Sequence, residues 1–558
     1  MTAASSPQKP WSVRRQICVI LAAGVVMRLF YHLTYRPWWQ GDTVWFTSRL
    51  WMWTHGYYPD GWRPPVYSLF LGLADLLTGS QVAYGGLSAE AASVAVLLQS
   101  ALGILAAVLI YDTMRTLGVR DRLAFWGALF FALIGGLSHV EMLLLSQSLA
   151  VFWLVLSCWL FVRTMKKLQR GDPVVSSAIL AGVGFCLAIL TRAEMLVFFG
   201  ALLGCMAVLF AVIAFRGRPQ EAAGPAKRRL TNKAGRRTFA QSARRVLWAM
   251  PTAAAPGILV WMYLIYLGTG QFKLTTIMGY EVNQTVYNLY DRVGPEDRVL
   301  GQIMVKYYLQ LNHDGQVRRD YLWPALHEIY GRRQEMPIRR QKRPVRDPDP
   351  YGISQNIGDS LDLGDYMAEV SLKLARRNPY DWLRNVAGSF VHDTFNFEYP
   401  QTAPQAEVTA DSDPRSVDGQ DVVRYPGLWR IAVWINRAQA PLLCALYVCT
   451  LALALVGPIW LLRNPRSETA LMDGAALAMV LSTVVTFLSF CVTMAYYSQY
   501  GPPFLGVMLV AFVYALERIL GWREAKGSPP IEAAEFASGH SAKPADRLKR
   551  RVNEASRI

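Results

Sequence analysis

Apolar runs of about twenty residues recur along this chain, and they restrict its fold more than any single motif does. A bilayer core of about 30 Å takes roughly 20 apolar residues per helix, and only helices or closed barrels satisfy their backbone groups there. About ten such runs are read, at roughly 16–35, 90–111, 123–138, 143–163, 175–191, 194–215, 246–268, 438–462, 470–495 and 503–521. The expected fold is mainly α: a polytopic transmembrane helical bundle of about ten spans, with extracytoplasmic loops forming a small mixed or α-helical region. Composition agrees, since 53% of the 558 residues are hydrophobic and 17% charged, a balance that soluble enzymes rarely show. Many of the 18 Trp fall beside apolar runs, where amphipathic rings favour the membrane–water boundary.

The links between runs set an orientation. With a cytoplasmic N-terminus, the cytoplasmic links hold Arg115, Arg120 and Arg122, then Lys166, Lys167 and Arg170, and then Arg463 and Arg466, as the positive-inside rule requires. The most basic link, 216–245, contains KRR at 227–229 and falls on the same side. Membrane orientation therefore explains the net charge of +17, and nucleic acid is not an expected partner. Arg14 and Arg15 precede an apolar segment without a small-residue cleavage site, which reads as an uncleaved first span.

The chain divides into an N-terminal transmembrane module (1–268), a large extracytoplasmic region (269–437), C-terminal transmembrane helices (438–521) and a cytoplasmic disordered tail (522–558). The first outward connection covers 36–89. RRQKRPVRDPDP at 339–350 reads as a flexible, Pro-containing loop. All seven cysteines lie in apolar runs, which argues against a disulfide framework. The expected location is the inner or plasma membrane, with both termini cytoplasmic.

Chemistry-bearing residues gather on the outward links. Asp42 stands a few residues beyond the first span, where two readings fit: a general base at the membrane face, or the N-cap of a helix beginning at Thr43. Arg63, in WRPPVYSLF, presents a planar donor fork suited to phosphate or to lipid headgroups. His139 and Glu141 fall on a very short turn between the third and fourth runs, close to the depth of Asp42. They read either as a convergent acid with a weak cation signal or as a solvated turn. Arg192 and Glu194 interrupt two spans; they serve phosphate binding or pair with each other. Tyr57, Tyr58 and Tyr280 suit sugar stacking or interfacial anchoring.

Several short elements recur in order. Arg28 precedes GDT at 41–43; RPPVYSLFL at 63–71, AILTRAEMLVF at 188–198, the stretch from Trp261 to Asn288, NPYDWLRNVAGSF at 378–390 and YYSQYGPPFL at 496–505 follow. Together they resemble the GT-C glycosyltransferase superfamily, in particular the bacterial branch related to protein O-mannosyltransferases and lipid A aminoarabinose transferases. The resemblance implies that Asp42 is the catalytic first-loop acid, Glu141 a second acid and Arg63 a contact to carrier phosphate. Arg192, Glu194, His139, Lys273 and Tyr280 join them as candidate substrate-binding residues. Gln147 and Gln499 stand where the family commonly has an acid and an arginine, and Trp62 precedes Arg63 where the aminoarabinose transferases have a metal-binding acid. No cofactor is expected beyond a divalent cation, which these residues leave open.

The expected activity is inverting transfer of one sugar from a polyprenyl-phosphate donor to a cell-envelope glycan, lipid or protein, with the bilayer as the surrounding partner. The alternatives are a transporter or flippase of a lipid-linked sugar, a glycan ligase using a lipid diphosphate donor, and a polymer-binding scaffold.

Overall fold

A computed structural model describes residues 11–38, 41–81, 83–216, 233–276, 278–314, 318–339, 353–395, 416–417, 420–421, 423–463, 469–493 and 502–527. Helices dominate it. They are α1 (Val13–Thr34), α2 (Gly41–Thr54), α3 (Pro65–Thr78), α4 (Ala89–Leu117), α5 (Asp121–Ala132), α6 (Gly135–Met142), α7 (Gln147–Arg170), α8 (Val175–Thr191), α9 (Met195–Arg216) and α10 (Lys233–Thr269). After these come α11 (Met278–Asn283), α12 (Arg298–Asp314), α13 (Arg318–Gly331), α14 (Ile353–Arg377), α15 (Pro379–Phe395), α16 (Pro426–Arg463), α17 (Ala470–Thr493) and α18 (Leu505–Gly527). Two-residue strands at Ser416–Val417 and Gln420–Asp421 form a small antiparallel hairpin.

Every expected apolar run falls mainly on helix, and the 123–138 run is divided between two. Among the described residues seven helices are long and apolar enough to cross a membrane, and the bent pair α5–α6 makes an eighth. Val175–Thr191 is a shorter apolar helix. The protein is thus a multi-pass membrane protein, mainly α. Its long helices pack side by side, α4 against α7, α7 against α8, α8 against α10 and α9 against α17. All seven cysteines are free.

The bend is where the sequence reading needs correcting. The expected third span, 123–138, followed by a short turn, is a helix that breaks after Ala132 and resumes at Gly135, with a 41° change of direction. A break frees backbone groups, and hydrocarbon provides no water to satisfy them. Gln439 on α16 closes the gap: the Gly135 amide donates to its Oε1 at 2.8 Å, and its Nε2 donates to the Leu133 carbonyl at 2.8 Å.

The polar region between α10 and α16 has its own core, in which Tyr280, Tyr290, Leu300, Ile303, Met367 and Val370 are buried. Trp62, from the first long link, packs against that core. The link is therefore clasped between the bundle and the polar region. The 339–350 run from residue 340 on, the 227–229 triplet, Arg466, Gln499 and the tail beyond 527 lie outside the described residues.

Candidate active site

One end of the bundle gathers the functional candidates, because several elements end or begin there. α1 ends at Thr34, α4 begins at Ala89, α6 ends at Met142, α7 begins at Gln147 and α8 returns to Thr191. The chain after α1 docks on the chain after α6: the Trp38 amide donates to the Met142 carbonyl at 2.9 Å and the Leu144 amide to the Trp38 carbonyl at 3.0 Å. A few residues on, the Thr43 hydroxyl donates to the Leu144 carbonyl at 2.9 Å. The backbone therefore brings together the segments that carry Asp42 and Glu141, 101 residues apart at the Thr43–Leu144 contact. Position 42 lies in the first turn of α2, which begins at Gly41, so the helix starts before the expected Asp42 cap. The Asp42 side chain is outside what is described.

Glu141 is not on a solvated turn. It lies in α6, 1% exposed, and both its oxygens are engaged by Arg28: Nε donates to Oε2 at 3.0 Å and Nη2 to Oε1 at 2.8 Å. Arg28 Nη1 also donates to the Ala132 carbonyl, the last residue before the helix break. Such bidentate pairing compensates two charges that would be costly if dehydrated alone. Gly103 on α4 makes room for it; a Cβ there would stand 2.0 Å from Glu141 Oε1 and 3.0 Å from Arg28 Nη2.

His139, two residues before Glu141, is fully buried among rings: Tyr35 at 4.8 Å, Trp38 at 5.7 Å and Tyr31 at 6.4 Å between centroids. Among the described residues neither imidazole nitrogen has a hydrogen-bond partner. Gln147, buried at the start of α7, likewise keeps an unpartnered Oε1.

Arg63 sits over the Phe46 ring, 5.5 Å from its centroid. Phe46 follows Asp42 by one turn of α2, so the two expected partners belong to one corner of the site. The corner is tied down by Tyr67, which packs on Phe46 at 4.7 Å and donates its hydroxyl to Gln99 Oε1 at 2.8 Å. Gln99 Nε2 in turn donates to the carbonyls of Glu141 and Leu143 at 2.7 and 3.0 Å. Arg192, at the end of α8, is 8% exposed and pairs with Glu194, as one of its two readings foresaw.

Lys273 and Tyr280 lie farther out, on the polar region. Lys273 pairs with Asp365 at 3.0 Å. Tyr280 donates to the Ser360 carbonyl at 2.5 Å and packs against Trp62 at 5.0 Å; burial raises its phenol above the usual range. Of the stacking candidates, Tyr57 is buried and Tyr58 is exposed. Among the described residues no three His, Cys, Asp or Glu side chains form a metal-holding group.

Sequence reasoning missed Arg49 and Asp60. Arg49 Nη2 lies 2.5 Å from Asp60 Oδ2, both side chains under 10% exposed, beside a cavity of about 210 Å³ between the first link and the polar region. The signal was present in the sequence: two isolated charges in the aromatic-rich stretch WFTSRLWMWTHGYYPDGW.

Fold and sequence together define a multi-pass, mainly α membrane protein. Within that class, residues 19–218 match the family model for dolichyl-phosphate-mannose-protein mannosyltransferase, a match that covers less than half the chain but all the rim elements from α1 to α8. No curated protein matches the sequence. Among solved structures, the chain is similar to the Archaeoglobus fulgidus oligosaccharyltransferase at 13% identity, covering 97% of this chain and 54% of that one, with a TM-score of 0.45. It spans about half the length of that archaeal enzyme. It is also similar to the S. cerevisiae protein O-mannosyltransferase complex (15% identity, 52% and 37% covered, TM-score 0.34). A third likeness is to ArnT from Cupriavidus metallidurans (14% identity, 86% and 78% covered, TM-score 0.31).

Proposed function

We propose that this protein transfers a single sugar from a polyprenyl-phosphate donor to an extracytoplasmic acceptor, with inversion, and that the rim holding α2, Arg63 and the 142–144 segment is its active site. The observation that carries the reading is the backbone docking of the first link on the chain after α6. It ties the start of α2 to the 142–144 segment, and Arg63 lies over Phe46, one turn after position 42. The family match over the same elements supports it.

In this reading the lipid tail lies between spans and the carrier phosphate meets Arg63, with Arg192 nearby. Asp42 accepts the acceptor's proton as its oxygen attacks the anomeric carbon, and the carrier phosphate leaves with the bonding pair. Cations that neutralise the leaving phosphate lower the barrier most. Glu141, engaged by Arg28 through both oxygens, acts as a positioning residue that fixes the backbone beneath Asp42. His139 lies behind it as a further contact to the substrate side, and Lys273 and Tyr280 line the approach from the polar region. The bundle end bearing this rim faces away from the cytoplasm, and both termini lie inside.

Purified protein incubated with radiolabelled polyprenyl-phosphate sugars and membrane extract tests this directly. Asp42→Asn is expected to lower transfer by at least about a hundredfold, as loss of a general base does, while the protein elutes as wild type on size-exclusion chromatography. Retained turnover in Asp42→Asn removes Asp42 from the role. Failure of the wild type to consume any monophosphate donor removes the activity, and leaves a flippase or a diphosphate-dependent ligase.

A further inference from the structure

The cavity of about 210 Å³ belongs to neither the Arg63 corner nor the His139 pocket. Trp45 and Arg49 line it from α2, Asp60 and Trp62 from the turn before α3, and Tyr330 and Ile357 from the polar region. Its floor is fixed. Thr276, just past α10, donates its amide to the Gly61 carbonyl at 2.9 Å and its hydroxyl to the Asp60 carbonyl at 2.9 Å. Gly61 has φ +73°, a left-handed turn that glycine adopts without strain. Asp60 Oδ1 accepts from the Trp62 amide at 3.0 Å.

The lining has two chemistries side by side. The Trp45 and Trp62 rings stand 5.6 Å apart, and the Arg49 guanidinium lies 4.8 Å from one and 5.9 Å from the other. Arg49 is held by Asp60 through Nε at 3.0 Å and Nη2 at 2.5 Å, which engages two of the five N–H donors of a guanidinium. Because Asp60 neutralises Arg49, a free phosphate finds little net positive charge here. A purely apolar ligand would meet an ion pair. A ring with apolar C–H faces and a rim of hydroxyls matches both halves of the lining, stacking on indole and hydrogen-bonding to the Arg–Asp pair. The volume falls below the roughly 300–1,000 Å³ of pockets for larger ligands, which limits the occupant to about one ring.

We propose that this cavity binds a sugar ring of the acceptor, so that the acceptor is a saccharide. This rests on the transferase reading above. Its geometry separates it from the donor: Phe46 carries Arg63 on the side of α2 that leads to Tyr67, Gln99 and the bundle. Trp45, Arg49 and Met52 line the cavity on the side that meets the polar region. These three positions follow position 42 by three, seven and ten residues, one stripe of an α-helix. A sugar seated there lies along the same stripe as the residue proposed to take its proton.

The test uses the full chain in lipid nanodiscs, with free D-glucose, D-galactose, D-mannose and D-arabinose and their methyl glycosides as probes, read by saturation-transfer NMR. At least one probe is expected to bind the wild type. Ile357→Trp, which fills the cavity without removing either charge, is expected to weaken that binding by about tenfold or more. Trp45→Phe, which keeps an aromatic wall, should hold it within about threefold. In the transfer assay Ile357→Trp should raise the acceptor KM and leave the donor KM unchanged. Absence of probe binding by the wild type, unchanged binding in Ile357→Trp, or a rise in donor KM alone would each overturn the proposal, the last by giving the cavity to the donor sugar. Cavity-dependent sugar binding with no turnover of any polyprenyl-phosphate sugar would sink the transferase reading and leave the sugar site standing. Turnover with a sugar-blind cavity would do the reverse.

Discussion

The two ends of the helical bundle use charge in different ways. At the end bearing the rim, Arg28–Glu141 and Arg49–Asp60 are under 10% exposed on both partners. At the other end, Arg115–Asp121, Arg163–Asp112 and Arg120–Glu517 are partly open to solvent, with 33, 48 and 46% of the arginine side chains exposed. Exposed pairs are worth little individually. They set orientation through their sign, as the positive links do. Of the buried pairs, Arg28–Glu141 joins segments 113 residues apart and Arg49–Asp60 closes a link of 11, and removing one partner of either leaves a dehydrated charge. Charge at one end thus addresses the membrane, and at the other it shapes a site.

Substitutions graded by burial test that contrast. Arg28→Met should cost most, about 3–5 kcal/mol, seen as loss of monodisperse protein on fluorescence-detected size-exclusion chromatography. Adding Glu141→Leu should restore folding, and the activity of that double variant then separates positioning from catalysis: a folded, wholly inactive double variant makes the Glu141 carboxylate essential to the chemistry itself. Gly103→Ala is expected to cost about 1–3 kcal/mol by overpacking, because its Cβ would collide with Glu141. A thermal midpoint equal to wild type would show that the pair moves freely.

Gln439→Leu should cost about 1–2 kcal/mol by leaving the Leu133 carbonyl and Gly135 amide unsatisfied, with Gln439→Glu intermediate. At the opposite end Arg120→Met should change the midpoint by at most the equivalent of about 1 kcal/mol. A large loss there would erase the distinction between the two ends.

How much of this was legible beforehand follows from the range of each interaction. The helices were readable because hydrophobicity over twenty residues is a local property, and the expected runs fall mainly on helix, with 123–138 divided between α5 and α6. Arg63 stood out in the sequence because RPP fixes its own conformation, but its seat over Phe46 did not. The Arg28–Glu141 pair was not readable, since 113 residues separate its members and nothing local marks either as the other's partner. The break between α5 and α6 left a sign, the Gly135–Gly136 doublet, that reading by apolar length alone passes over. Arg49 and Asp60 were passed over for a similar reason: an aromatic-rich link reads as an interfacial belt until a second region is seen to close over it.

The Gln439 contact bears on how the molecule is made. During synthesis α5 and α6 enter the bilayer some 300 residues before the side chain that satisfies their kink. Until α16 arrives, the first half of the protein carries an open seam in hydrocarbon, a place for a chaperone of membrane insertion to hold. A fragment ending near residue 218 would keep that seam for good, and co-expression with a fragment containing α16 is the condition under which it should close.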